Sequence, residues 1–200
     1  MPQLYEDTNS PQDTCTPPEF LEAVRRIYGE ISYDLAASSD NVCPAWFGEE
    51  INSLTLDWHE FFDPQEPNQY AWLNPPFKKS KIFLKKCGEE AAKGAYIISL
   101  VQSAVGCKYW HELVFGNQYC KIIFVEGRIN FVGHGANAKI DCALIIWHPQ
   151  FKFLQPWERF ITWDWRDKEA GPKFPWAMSW PVPEITELRK KLDEKIEDTK

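Results

Sequence analysis

The stretch AYIISLV, residues 95–101, carries no charge and is rich in β-branched side chains. A strand of that character is stable only where both of its faces are covered. It is preceded by helix formers from Lys79 to about Lys93, with Ile82, Phe83 and Ala91 expected to face inward, and before those by QYAWLN (69–74), a second strand. Strand, helix and strand in that order predict a crossover unit with parallel strands, and hence a layered α/β fold.

The flanking segments extend the same pattern. ISYDL (31–35) and SLTLDW (53–58) read as strands, and YWHELVFG (109–116) as a short helix ended by Gly116. CKIIFVEG (120–127), INFVG (129–133) and IDCALIIWH (140–148) read as strands that close the sheet in an antiparallel hairpin. Ahead of them all, TPPE (16–19) looks like a helix start, with Thr16 as N-cap, Pro17 at the first helical position and Glu19 closing a capping box. Phe20, Val24, Ile27 and Tyr28 then recur at helical spacing up to Gly29.

The expected organisation is a polar leader (1–13), one α/β domain (14–149), a Trp- and Pro-rich segment that wraps back over it (150–183) and a charged C-terminal helix (184–200). The wrapping follows from the cost of leaving Trp157, Trp163, Trp165, Trp176 and Trp180 exposed. Ile185, Leu188, Leu192 and Ile196 share one face of the final helix, a pattern too short for a coiled coil and suited to docking on the domain.

Composition excludes several classes. No apolar run approaches the roughly 20 residues of a membrane span and no signal segment is visible, so a soluble cytoplasmic protein without membrane contact is expected. Six cysteines lack any CxxC pair and four histidines lack metal-ligand spacing, which argues for reduced thiols and against a metal. The net charge of −7 speaks against a globally electrostatic nucleic-acid binder. Even so, Lys78, Lys79, Lys81, Lys85 and Lys86 crowd together in an otherwise acidic chain. Such a run is either a local basic patch or a solvated helix face.

That lysine run follows LNPPF (73–77). Asn74 would stand at the carboxyl end of a central strand, where ligands of open α/β sheets bind. Two prolines fix the exit of the chain from the strand. The Asn74 carboxamide oxygen and the Pro75 carbonyl can both accept from an exocyclic NH2 group, and Phe77 offers a face for the ring that carries it. A base must leave its duplex to reach such a place, and backbone contacts from Lys78, Lys79 and Lys81 would anchor the DNA around it.

NPPF matches the [DNS]-P-P-[YF] signature of S-adenosylmethionine-dependent amino-methyltransferases. With TP (16–17), YDLAAS (33–38), Asp40, Asn41, Cys43, Phe47, DW (57–58) and GRINF (127–131) in this order, the chain resembles the phage DNA N-6-adenine methyltransferases over roughly residues 14–148. The resemblance implies a Rossmann-like class I methyltransferase sheet that binds S-adenosylmethionine and acts on double-stranded DNA; the oligomeric state is left open, with a monomer favoured. It implies Asn74, Pro75, Pro76 and Phe77 as the methyl-transfer pocket, and Thr16 and Pro17 at the methionine end of the cofactor. It further implies Asp34 at the cofactor's amino group, Ala36 and Ala37 where the backbone comes close, and Asp57 at its adenine. Arg128 is a phosphate contact or the partner of an acid on the hairpin. Three positions depart from the pattern: the glycine loop is replaced by DLAAS, Thr14 stands where a Trp is usual, and Phe77 replaces the commoner Tyr.

NPPF serves any planar amino or amide group, so RNA or a protein glutamine is the neighbouring reading, and a non-catalytic binding module the more distant one. Ser99 and Gln102 could face the same crevice, or could merely end a strand. His134 and Asn137 lie in a loop (132–139) that would suit base reading but reads equally as a solvated loop.

Overall fold

The structure, a computed structural model, describes residues 15–37, 42–48, 50–63, 69–131 and 141–173. The expected leader, the 132–139 loop with His134 and Asn137, Ser38, Asp40 and Asn41, and the C-terminal helix lie outside the described residues. Helix α1 (Pro18–Tyr28) leads into β1 (Ile31–Asp34), followed by the two-residue β2 (Ala45–Trp46), β3 (Tyr70–Leu73), α2 (Ser80–Lys93) and β4 (Ile97–Gln102). A short helix α3 (Lys108–Trp110) continues in π-helical form over His111–Phe115, and β5 (Cys120–Val125), β6 (Cys142–Trp147) and β7 (Phe160–Trp163) complete the sheet.

The strand order is β2-β1-β3-β4-β6-β5-β7. All neighbours pair parallel except β6, which runs antiparallel to both β4 and β5. This is the Rossmann-like α/β sheet that the β3-α2-β4 pattern predicts, and the antiparallel C-terminal pair is present. Its partners differ from the expected ones. β6 pairs with β5, whereas residues 128–131 form no strand; Ile129 and Phe131 instead drop into the core at 0% and 3% exposure.

Alternation along the strands divides the core in two. Ala71, Leu73, Ile97 and Val101 face α2 and the α3 region, together with Phe83, Leu84, Trp110 and Val114. Trp72, Ile98, Leu100 and Ile123 face the other way, onto Phe20, Leu21 and Val24 of α1. The sheet is thus covered on both faces, as its uncharged central strand requires.

Three local expectations are corrected. SLTLDW is not a strand: it forms 3-10 turns over Ser53–Thr55 and Trp58–Phe61. Side-chain hydrogen bonds capture the chain there, Ser53 Oγ donating across to Leu35 O after β1 at 2.6 Å and Trp58 Nε1 to Ser53 O at 2.7 Å. Ile82 points outward at 58% exposure, because Phe83, Leu84 and Cys87 already fill the inner face of α2. The capping box of α1 does not form: Pro18 begins the helix, Pro17 precedes it without a side-chain cap, and the Thr16 hydroxyl is engaged elsewhere.

Beyond Pro149 the chain makes two 3-10 turns, Pro149–Phe153 and Pro156–Arg159, and then adds β7 to the sheet beside β5. Trp163 is buried and Trp165 packs edge-on against Phe20 of α1, while Trp157 stays 59% exposed.

Candidate active site

Parallel strands bring their carboxyl ends to one edge. Asp34 ends β1 opposite Trp72, and Leu73 ends β3 opposite Ser99 of β4, so Asp34 and Asn74 stand at the same edge on adjoining strands. Helix α2 starts at that edge after NPPF, and α1, which turns into β1 within two residues, also has its first turn there. Thr16, 4% exposed, meets Asn74 at this point: the Asn74 Nδ2 group donates to Thr16 Oγ1 at 3.3 Å. That bond sets the flip of the carboxamide, turning its acceptor oxygen to the other side. Two residues 58 positions apart in the sequence are therefore in direct contact.

Asp34 is 5% exposed, and burial pushes its carboxyl up to about 6, although N–H groups of Ala36 and Val42 partly offset this. Ala36 donates to Asp34 Oδ1 at 3.2 Å, and Ala37 donates to Phe47 O at 3.0 Å, which fixes the turn after β1. Among the described residues no cationic side chain pairs with Asp34. A buried carboxyl in that condition is matched by an incoming ammonium group, so the residues present fit the amino acid end of S-adenosylmethionine. The half-exposed Trp46 lies opposite Asp34 on β2. No sequence pattern pointed to it, because a two-residue strand leaves no periodicity to read.

Pro75 is buried and Pro76 has φ −52° and ψ 132°, the extended exit that the double proline dictates. Lys79 donates its backbone N–H to Pro76 O at 2.8 Å, and a 3-10 turn over Phe77–Lys79 feeds α2. Phe77 is partly exposed and meets the buried Phe131 edge to face, 6.4 Å between ring centres at 86°. Lys78, Lys79 and Lys81 are exposed next to it and make no ion pair with the described residues. Arg128 lies 3.7 Å from Asp141, both well exposed, a pairing of the kind that contributes little to stability.

Asp57 is in different company. It pairs with Lys93 at 3.1 Å, beside Glu90, Lys86 and His59 at the last turn of α2. Helix α2 spans about 20 Å from its start near Phe77 to that turn, so the structure does not bring Asp57 together with Asn74. The 3-10 turns that replace the expected strand are what direct it there. Ser99 is likewise not in the crevice: it is fully buried, accepting from Trp147 Nε1 at 2.9 Å and donating to Ile145 O at 3.2 Å. Gln102 is exposed at the end of β4.

The model of the family DNA N-6-adenine-methyltransferase (Dam) matches residues 8–168, most of the chain and every element of the sheet. The chain belongs to this family. A curated relative of this Dam-family chain, the DNA N-6-adenine-methyltransferase of Escherichia phage T1, is 34% identical over 159 residues, covering 68% of this chain. The chain spans 62% of that relative's length. The matched region contains Thr16, Asp34, Asn74 and Phe77, so the Dam family assignment and the strand-end constellation concern the same part of the molecule.

Proposed function

We propose that this chain transfers a methyl group from S-adenosylmethionine to the exocyclic N-6 amine of adenine in double-stranded DNA. The observation that carries the reading is that a buried carboxyl without a cationic partner among the described residues and an Asn carboxamide held by Thr16 stand at the same ends of adjoining strands.

Asp34 would hold the cofactor's ammonium, with Ala36 and Ala37 allowing the backbone to approach and Thr16 and Pro17 flanking the methionine end. Trp46, beside Asp34, offers the cofactor's ring system a flat face in the place the resemblance gave to Asp57. When bound, S-adenosylmethionine supplies an electrophilic methyl on a sulfonium. The Asn74 carboxamide oxygen and the Pro75 carbonyl accept from the adenine amine, which keeps its lone pair directed outward and stabilises positive charge as it develops on nitrogen. Pro76 holds that geometry rigid, and Phe77 stacks on the base, a contact worth roughly 1–3 kcal/mol. Extruding the base costs a few kcal/mol. Phosphate contacts from Lys78, Lys79, Lys81 and Arg128 offset it by anchoring the duplex. Lys78, Lys79 and Lys81, which make no ion pair among the described residues, favour a polyanionic acceptor over a protein glutamine.

The test is transfer of labelled methyl into unmethylated duplex DNA, with RNA and total protein as parallel acceptors and nucleoside analysis of the product. Label recovered as N-6-methyladenine is the expected result. Label confined to RNA or protein would keep the pocket and replace the substrate.

A further inference from the structure

The turn that follows β5, residues 126–131, is held by a side chain from near the end of the described chain. Glu126 donates its backbone N–H to Trp163 O at 2.9 Å, tying this turn to the one after β7. Gly127 then adopts φ 75°, a left-handed conformation that favours glycine. The bare glycine also leaves room for a neighbour: a Cβ there would come within 2.7 Å of Cζ of Arg166. The guanidinium occupies that space, donates through Nη2 to Arg128 O at 3.3 Å and lies over the Trp165 ring at 5.7 Å. Its own backbone is set by Asp164, whose Oδ1 accepts from the Arg166 N–H at 3.2 Å.

Both ends of this arrangement reach the pocket. Trp165 packs edge-on against Phe20 of α1 at 5.2 Å, and α1 begins beside the Thr16 that Asn74 contacts. At the end of the turn, buried Phe131 stands edge to face with Phe77. The contacts therefore close a circuit, from Asn74 through Thr16 and α1 to Trp165, through Arg166 to the 126–131 turn, and through Phe131 back to Phe77.

We propose that Arg166 is a positioning residue: wedged against Gly127 and laid over Trp165, its guanidinium holds the 126–131 turn and, through Phe131, sets where the Phe77 ring stands. The functional consequence rests on the reading of Phe77 as the face on which the target base stacks. An exposed arginine with this small set of contacts adds little to global stability, so its removal acts on the pocket and not on folding.

The experiment places 4-fluorophenylalanine at position 77 of the full chain and follows its fluorine resonance. Arg166→Ala, Arg166→Met (which keeps the aliphatic stem) and Gly127→Ala (which forces the guanidinium away) should each shift or broaden the signal, while Trp157→Ala leaves it in place. In parallel, Arg166→Met should lower kcat for methyl transfer about tenfold, since displacements near 1 Å can cost more than that. Its cofactor affinity should stay within about twofold of the parent. An unchanged resonance in all three variants overturns the proposal, and so does a changed resonance with unchanged kcat. A moved resonance in a protein whose parent form transfers no methyl to any acceptor supports the role of Arg166 and overturns the proposed function instead.

Discussion

Two buried carboxylates, Asp34 and Glu90, are treated in opposite ways. Asp34, at the edge where β1 and β3 end, has backbone N–H groups and no cation among the described residues, and burial pushes it up to about 6. Glu90, at the far end of α2, is fully buried, yet Lys86 and Lys93 lie at 3.0 Å from one oxygen, and the other accepts from the His59 backbone and meets its ring. Burial alone would raise its pKa, but those hydrogen bonds outweigh it and hold the carboxyl at about 2. One charge is saturated by the protein and ties the 53–62 turns to α2. The other has backbone N–H groups and no cationic partner among the described residues. A buried charge completed from within serves the fold, and one left incomplete at a strand end marks a site.

The sharpest way to break the contrast is to neutralise Glu90. Glu90→Gln weakens several charge-assisted hydrogen bonds to a buried acceptor and should destabilise the chain by about 3 kcal/mol. Denaturant unfolding measures this, and Asp34→Asn in the same assay should be neutral or stabilising at neutral pH. Next in size, Asn74→Ala should reduce methyl transfer by roughly 10²–10³-fold, the loss seen when a preorganised polar group is removed. Cofactor affinity, read by calorimetry, should be largely kept. Undiminished turnover would remove Asn74 from the pocket.

The pH dependence separates the two carboxylates by sign. Asp34 is raised in the fold, so the unfolded chain loses its proton first and stability falls as pH rises from about 4 to about 6, then levels. Glu90 is depressed, so its contribution is full above its unfolded value near 4.5 and is lost as pH falls toward about 2. Because an ammonium requires the ionised form of Asp34, S-adenosylmethionine affinity should rise about tenfold between pH 5 and pH 7 and then flatten. A flat profile would detach Asp34 from the cofactor. The smallest effect concerns the lysines: each of Lys78→Ala, Lys79→Ala and Lys81→Ala should lower the slope of log affinity against log salt by about 0.9 for duplex DNA.

Much of this was legible along the chain because the features are local. Residues 97–101 are uncharged and buried from Ile97 to Val101, which is what placed a central strand there. NPPF announced its own geometry, since the conformation of Pro76 follows from its ring. The misreadings share a cause. SLTLDW has apolar residues at alternating positions, but the hydroxyl of Ser53 and the indole of Trp58 find backbone acceptors that no alternation reveals. The TPPE capping box looked complete, yet Thr16 was better used by a carboxamide from another strand. β7 escaped notice because FITW is short and lies among tryptophans and prolines without period.

The amino-acid sequence by itself determined the layered sheet and the residues at its strand ends, because periodicity, proline rings and uncharged runs act over a few neighbouring positions. Only the tertiary structure decided which of those residues meet. The Thr16 contact of Asn74, the capture of Asp57 by Lys93 and the seat of Arg166 on Gly127 join positions 36 to 58 residues apart. Such contacts depend on strand order and helix direction, which no local pattern encodes.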